Sequence, residues 1–536
     1  MGHTVGTYLV ELLAANDIDT VFGIPGVHNL ELYRGLAAAR IRHVLVRHEQ
    51  GAGFAADGFA RSSGRPAAAF VISGPGLTNI MTAAAQAYSD SIPLLVVASA
   101  PVRASFGKRW GVLHELNDQT ALASGVFGAA HAAGSAAEMR DQLRACLVSF
   151  RSGRPRPAYL EVPLDLLAED TPLRAERFDD APLLPRAGAD QVDAAVRLLT
   201  SASRPLVIAG GGARRAGTEI RRLVESLDCP LVTTVAGKGV LAESHPANLG
   251  TSLPYGPTQR MAAEADVVLA VGTELSETDV YTGTKLALNG RLIRIDIDPA
   301  KLGDQYGADV RLWSDAAVAL AAINEMLARR APNALECSGW LTALGGAAAC
   351  RAEIDAGLDD RLVSQRTALR AIKAALPADG AIFSDMTQIA YCGNYAYPVE
   401  NPGQWFHPSG YGTLGFALPA AIGAKIAAPA RAIAALAGDF GLQFTLGELM
   451  TAVEERLSLP IVVWNNAALG VIRDDMIAAG IAPLGVVGQN PDFVALAHAC
   501  GAEGYRVHDP AALTEAVHGA LGQAGPTVID VVAASF

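Results

Sequence analysis

Short apolar runs recur along the chain, separated by stretches long enough for a helix. In the first part these are Thr20-Val-Phe-Gly23, His43-Val-Leu-Val-Arg47, Ala68-Ala-Phe-Val-Ile72, Leu94-Leu-Val-Val-Ala98 and Ala158-Tyr-Leu-Glu-Val162. Further on come Pro205–Ala209, Pro230–Thr234, Asp266–Val271 and Arg291–Asp296, then Ala432–Ala437 and Leu459–Trp464. Runs so short and so continuously apolar suit strands of a parallel sheet buried on both faces. Their alternation with helical segments predicts an α/β chain of doubly wound parallel sheets. Glu169–Asp190, with Pro172, Pro182 and Pro185, reads as a linker, and a second hinge contains Pro332. Three doubly wound domains are therefore expected, at 1–170, 191–330 and 345–536.

Composition narrows the function classes. The 536 residues are 51% hydrophobic, which leaves no question of a core. A net charge of −12 argues against a nucleic-acid partner. No apolar run is long enough to span a bilayer, so no membrane helix is expected. The start, Met-Gly-His-Thr-Val-Gly-Thr-Tyr, lacks the basic and apolar regions of a signal peptide, and Gly2 lacks the serine or threonine that myristoylation wants. Cys146, Cys229, Cys337, Cys350, Cys392 and Cys500 show no paired spacing, as expected of reduced cytoplasmic thiols.

The most specific chemistry lies in the last block. The apolar run Ala432–Ala437 delivers Gly438-Asp439-Phe440-Gly441 to one edge of its sheet, and Leu459–Trp464 delivers Asn465-Asn466 to the same edge. Asp439 and Asn466 offer hard oxygen ligands suited to Mg²⁺ or Ca²⁺. A helix amino terminus beside them suits a phosphate. Glycine and aspartate at a strand end alone serve ordinary turns. The spacing to Asn-Asn at the end of the following strand carries the reading: a metal bridging protein oxygens and a diphosphate.

This pattern resembles the cofactor motif of thiamin-diphosphate enzymes, Gly-Asp-Gly…Asn-Asn, with Phe440 in place of the third glycine and Gly441 next to it to supply flexibility. The order of blocks is similar to the decarboxylase and acetolactate-synthase branch over essentially the whole chain. The resemblance implies that Asp439, the Asn466 side chain and the Ala468 carbonyl hold Mg²⁺. Gly438, Phe440, Gly441, Leu469, Gly470 and Val471 would then border the diphosphate, with Thr387 and Gln388 as donors to it. In Gly410–Pro419, Leu414 matches the residue that wedges the cofactor into a bent shape, and the Gly412 carbonyl would take the pyrimidine amino group.

In the first block, Arg47-His48-Glu49-Gln50-Gly51-Ala52-Gly53 follows a strand and opens a helix rich in small residues. An acid there also suits any helix amino terminus. The resemblance makes Glu49 the acid that hydrogen-bonds a ring nitrogen of the aminopyrimidine and tunes the cofactor's own proton transfer. Gly51, Ala52 and Gly53 would let that ring approach. Pro25, in Phe22-Gly-Ile-Pro-Gly26, and Asn79, in Ser73-Gly-Pro-Gly-Leu-Thr-Asn79, would border the cavity. Ile72 and Val27 stand where benzoylformate decarboxylases carry a histidine and a serine, so that specialised chemistry is not expected. His28 is either a helix-cap residue or a substrate contact. His114 lies near a Phe-Gln-Glu segment of acetolactate synthases and is either a proton relay or a surface-loop residue. Asp474 and Asp475 either read a cationic substrate tail or begin a solvated helix.

The middle block offers Gly210-Gly211-Gly212 after a strand, weak evidence for a dinucleotide. Val271-Gly272-Thr273-Glu274 lacks the arginines and aromatic of the flavin segment in acetolactate synthases, so FAD is disfavoured. The resemblance thus implies a thiamin-diphosphate- and Mg²⁺-dependent lyase that converts a 2-oxo acid to an aldehyde and CO₂. Phe22–Leu36 and Leu113-His-Glu resemble decarboxylases of 5-guanidino-2-oxopentanoate. The alternatives are an acetolactate-synthase-like carboligase and a flavin or nicotinamide oxidoreductase. In the family Glu49 and Asp439 meet across a subunit interface, which implies a homodimer or homotetramer.

Overall fold

The structure, a computed structural model, describes residues 3–180, 183–281, 285–330 and 339–536; Gly2, Pro182, the hinge at Pro332 and Cys337 lie outside the described residues. The chain forms two compact units. One comprises Met1–Pro182, Ala374–Ala390 and Gly410–Phe536, the other Leu183–Lys373 and Tyr391–Ser409.

The first unit contains two sheets. The strands of the first are β1 (Thr20–Gly23), β2 (Arg42–Leu45), β3 (Ala67–Val71), β4 (Leu94–Ala100), β5 (Ala129–Ala132) and β6 (Ala158–Pro163), in the order β2-β1-β3-β4-β6-β5. Every pairing is parallel. β3, β4 and β6 are buried along their whole length, as their continuous apolar sequence requires. Connections leave β1 in opposite directions, so the crevice at the carboxyl ends of β1 and β3 is the switch point where such sheets bind ligands.

The middle strands form the second unit's sheet: β7 (Pro205–Ala209), β8 (Leu231–Thr233), β9 (Val267–Val271), β10 (Arg291–Asp296) and β11 (Val310–Trp313), in the order β11-β10-β9-β7-β8. Its switch point lies between β7 and β9. The short β13 (Trp405–Phe406) belongs to this unit.

The other sheet of the first unit contains β12 (Ala381–Ser384), β14 (Ile433–Gly438), β15 (Leu459–Asn465), β16 (Glu503–Val507) and β17 (Pro526–Val532), with neighbours β12-β14-β15-β17-β16, again parallel. Gly438 pairs with Trp464, which brings Asp439 and Asn465-Asn466 to the same sheet edge. Gly438 caps a helix, Asp439–Phe444, that begins directly at the strand end.

The two sheets of this unit are tied by one close helix crossing. The helix Glu49–Ser63 lies on Ala417–Ala427 so tightly that a methyl on Gly58 would strike the Ala420 carbonyl, and one on Gly423 the Ala55 carbonyl. Its small residues serve this contact. Gly51 faces Glu448, and a methyl on Gly53 would sit 2.5 Å from the Ala83 Cβ. The space these glycines were expected to leave for a ring is filled by protein.

The segment after Glu169 is pinned along the first sheet up to Asp180: Thr171 donates to the His3 carbonyl, Phe178 N–H to Asn16, and Arg144 pairs with Asp180. Among the described residues no helix is long and apolar enough to cross a membrane. The described cysteines are unpaired.

Candidate active site

Three polar clusters gather at the sheet edges of the first unit. The first is built on Glu49. His48 caps its helix, accepting the Gln50 N–H at 3.1 Å. Glu49 is buried, with Oε2 accepting from Asn79 Nδ2 at 2.9 Å. The approach to this helix is fixed from the other sheet. Glu448 Oε1 accepts the N–H groups of Arg47 (3.0 Å) and His48 (3.1 Å), and Oε2 accepts from Thr451. Burial raises the Glu448 pKa, which those hydrogen bonds counter.

The second cluster lies at the β1/β3 switch point. His28 Nδ1 hydrogen-bonds Ser73 Oγ, and its ring meets His114 edge-on with centroids 4.7 Å apart. His28 therefore caps no helix; Asn29 occupies that position. Nor is His114 a surface residue: it is half-buried, and its Nδ1 has no hydrogen-bond partner among the described residues. Gly74 makes this possible. It has φ +65°, and a Cβ there would lie 2.5 Å from the His114 carbonyl oxygen. A side chain is excluded on both counts. His114 itself takes φ +64°. Burial, then the neighbouring His114, lowers the His28 pKa, which favours a neutral imidazole. Pro25 leads into this crevice: Asn29 Oδ1 accepts the Gly26 N–H at 2.8 Å and Nδ2 donates to the Ile24 carbonyl.

The third cluster joins the ends of β12, β14 and β15. Asp439, 2% exposed, accepts from the backbone N–H groups of Phe440 and Ala467 and, at 2.6 Å, from Asn490 Nδ2. Burial raises its pKa. Ala467 has φ +52°, a rare conformation for alanine, in the turn between Asn466 and Ala468. Asn466 Oδ1 accepts the Ala468 N–H at 3.1 Å, and Nδ2 donates to Gln388 Oε1 at 3.0 Å. Gln388 Nε2 donates to Asp474 at 3.0 Å, and Asp474 also pairs with Arg473. The Gln388 amide, expected to face a diphosphate, is thus engaged by protein, and Asp474 has an arginine already; Asp475 is exposed. A Cβ on Gly470 would lie 2.5 Å from Gln388 Oε1, so this helix start packs directly on the amide pair. Leu469 N–H donates to the Val486 carbonyl, and Val471 is half-buried. The Phe440 ring lies over Gly488. Gly441 is helical and packs on Asp385, so the flexibility expected of it is not used.

Asp385 organises the loop carrying Gly412 and Leu414. Its carboxylate accepts the N–H groups of Met386, Gly415, Phe416 and Ala417, and burial pushes its pKa up to about 6. Gly412 takes φ +75°, and Leu414 is half-buried rather than core. Thr387 packs against Gly438. Sequence reasoning missed Asp385, Glu448 and Asn490, each fixed by a distant partner. Among the described residues, no hydrogen bond joins the Glu49 cluster to the Asp439 cluster.

The donor set can be tested against a divalent cation. No group of three or more His, Cys, Asp or Glu side chains is arranged to hold a metal among the described residues. Asp439 and Asn466 form a site of another kind, one carboxylate and one amide oxygen beside a main-chain carbonyl. The Asn466 oxygen keeps a second lone pair beyond its Ala468 bond. A cation at the buried Asp439 carboxylate would relieve the desolvation that raises its pKa. These residues fit such an ion.

Family models match three stretches of the chain. Residues 3–122 match the thiamine pyrophosphate enzyme N-terminal TPP binding domain, 192–323 the central domain and 385–531 the C-terminal TPP binding domain. The chain belongs to the thiamine pyrophosphate enzymes. It is 47% identical to the probable 2-ketoarginine decarboxylase AruI of Pseudomonas aeruginosa, over 98% of this chain and 94% of that one. Acetolactate synthase isozyme 1 large subunit of Escherichia coli is 30% identical over 88% of this chain and 83% of its own. A probable acetolactate synthase large subunit of Methanococcus aeolicus is 28% identical, covering 97% and 90%. As a family member the chain is a thiamin-diphosphate-dependent enzyme of α/β architecture, with its cofactor-binding regions on the two sheets that share the first unit.

In the second unit the glycine cluster has a packing explanation. Gly210 N–H donates to the Val271 carbonyl and Gly212 N–H to the Gly272 carbonyl, and a Cβ on Gly212 would lie 2.9 Å from the Gly272 Cα.

Proposed function

We propose that this enzyme decarboxylates 5-guanidino-2-oxopentanoate to CO₂ and the corresponding guanidino aldehyde, with thiamin diphosphate and Mg²⁺. The observation that carries the reading is 47% identity over nearly the full length of a chain named as a probable 2-ketoarginine decarboxylase, against about 30% for the acetolactate synthases.

Asp439, Asn466 and the Ala468 carbonyl would hold the metal, and the start of the helix Gly470–Ala478 would face the diphosphate. Glu49 would face the aminopyrimidine, with Gly412 and Leu414 shaping its bend. When bound, thiamin diphosphate supplies the nucleophilic carbon and the electron sink for loss of CO₂. The protein's own task is protonic. The balance R–CO–CO₂⁻ + H⁺ → R–CHO + CO₂ consumes one proton. Glu49 would hydrogen-bond the ring from a buried site, its Oε2 fixed by Asn79. His28 and His114 would line the path by which a proton reaches the substrate carbon. Ser73 orients the first of them, and the second has a buried Nδ1 with no hydrogen-bond partner among the described residues.

The carboligase reading is favoured by the acetolactate synthases matched over most of this chain. Supplying a panel of 2-oxo acids with cofactor and Mg²⁺, and analysing both CO₂ and products, separates the two. Aldehyde from the guanidino acid supports the decarboxylase; acetolactate from pyruvate, with no aldehyde, overturns it.

A homodimer or homotetramer with active sites between subunits is part of the same reading. Large apolar side chains are exposed around both half-sites, among them Val27, Trp110 and Leu113 on one side and Phe444, Ile477 and Leu484 on the other. A monomer by light scattering at micromolar concentration would refute it. Domain limits at 1–170, 191–330 and 345–536, and a reduced cytoplasmic setting for the unpaired cysteines, complete the proposal.

A further inference from the structure

The segment that follows His114 lines a cavity of about 370 Å³ whose wall includes Phe106, Glu115, Leu116, Asp118, Thr120 and Glu161. That volume suits a small organic molecule. No lysine, arginine or histidine lines it, while three carboxylates do. Glu161 is 4% exposed. Its Oε2 accepts from Tyr159 Oη (2.9 Å), Thr120 Oγ1 (3.0 Å) and Gln119 Nε2 (3.2 Å), whereas Oε1 has no partner among the described residues. Burial raises its pKa. Glu115 binds the Gly111 N–H through Oε2 and Asp118 the Ala121 N–H through Oδ1, leaving one oxygen of each unengaged among the described residues.

Glu161 Oε1 is not among the buried atoms left without a partner, so it meets the cavity, where a cation that donates hydrogen bonds would offset the desolvation of a side chain so nearly enclosed. Guanidinium suits this wall better than ammonium. It is planar, donates in a fork that matches a carboxylate, is weakly hydrated and lies well against an aromatic ring such as Phe106. We propose that this cavity binds a guanidinium group, with Glu161 as its buried partner and Asp118 and Glu115 as further carboxylates. Gln119 links it to the crevice: Nε2 donates to Glu161, while Oε1 accepts the Gly74 N–H at 2.8 Å. The guanidinium has two sources, the tail of the proposed 2-oxo acid or a separate guanidino compound. Only the first rests on the function proposed above.

The test is calorimetric titration of the holoenzyme with butylguanidine and with butylurea, its uncharged isostere. Butylguanidine is expected to bind about tenfold or more tightly than butylurea, and Glu161→Gln to lose about tenfold or more of that affinity. Asp118→Asn, which keeps a helix-capping side chain, is expected to lose less. Equal binding of the two probes, or unchanged binding in both variants, overturns the proposal even if the guanidino acid is decarboxylated. Glu161-dependent binding in an enzyme that does not turn over that acid upholds it and removes the substrate assignment instead. Competition between butylguanidine and the guanidino acid identifies the substrate tail as the source; simultaneous binding identifies a separate ligand.

Discussion

The first and middle sheets share one connection pattern at their switch points, yet the two crevices hold different things. Between β1 and β3 the turns bring side chains together: His28, Ser73 and, from a third segment, His114. Between β7 and β9 the turns bring main chain onto main chain, Gly212 against Gly272. Both are rich in glycine, and in both a methyl group would collide. Glycine at a switch point therefore marks a close approach, and the approaching partner decides whether chemistry follows.

The largest effect that would sharpen this contrast belongs to Glu49. Glu49→Gln should lower kcat by about 10²–10⁴-fold with an unchanged melting temperature, measured as CO₂ release beside thermal unfolding. Near-normal turnover would remove the acid from the role given to it. Gly74→Ala should follow, with kcat/KM lower by about 100-fold, because it displaces the His114 loop from the crevice. Gly212→Ala should instead lower the melting temperature by a few degrees, on the order of 2–4 °C, and leave kcat per folded enzyme within about twofold. Equal damage to turnover from the two glycine variants would dissolve the contrast.

The smallest effect concerns pH. The folded His28 pKa lies below its ordinary 6.5, so the unfolded chain binds the proton first. This group costs no stability well above that value and reduces stability as pH falls through it. His28→Gln should therefore shrink the loss in melting temperature between about pH 7.5 and about pH 5, by roughly 1–2 °C.

The central strands were legible because they are buried on both faces and read as unbroken apolar runs. β5 and β11 were not. They are sheet edges, and their half-exposed sequences, Ala-Ala-His-Ala and Val-Arg-Leu-Trp, carry no such run. β17 is central, but Thr527 and Asp530 interrupt it, both fully buried. Asp530 is matched there by Asn465 and Arg506, partners that local sequence does not reveal. The same limit applies at the site. Asp439 and Asn466 stood out through spacing, whereas Asn490, Asp385 and Glu448 act through residues far away in the chain. Gln388 looked like a free donor because nothing nearby announces that Asn466 and Asp474 face it.

The crossing of Glu49–Ser63 over Ala417–Ala427 also has a consequence for biosynthesis. These helices leave the ribosome several hundred residues apart, and neither Gly58 nor Gly423 can find its carbonyl neighbour until most of the protein has been made. The early helix, alanine- and glycine-rich, must wait with its seam open while the entire second unit emerges. Changes along that seam should therefore be felt first in the yield of newly made soluble enzyme.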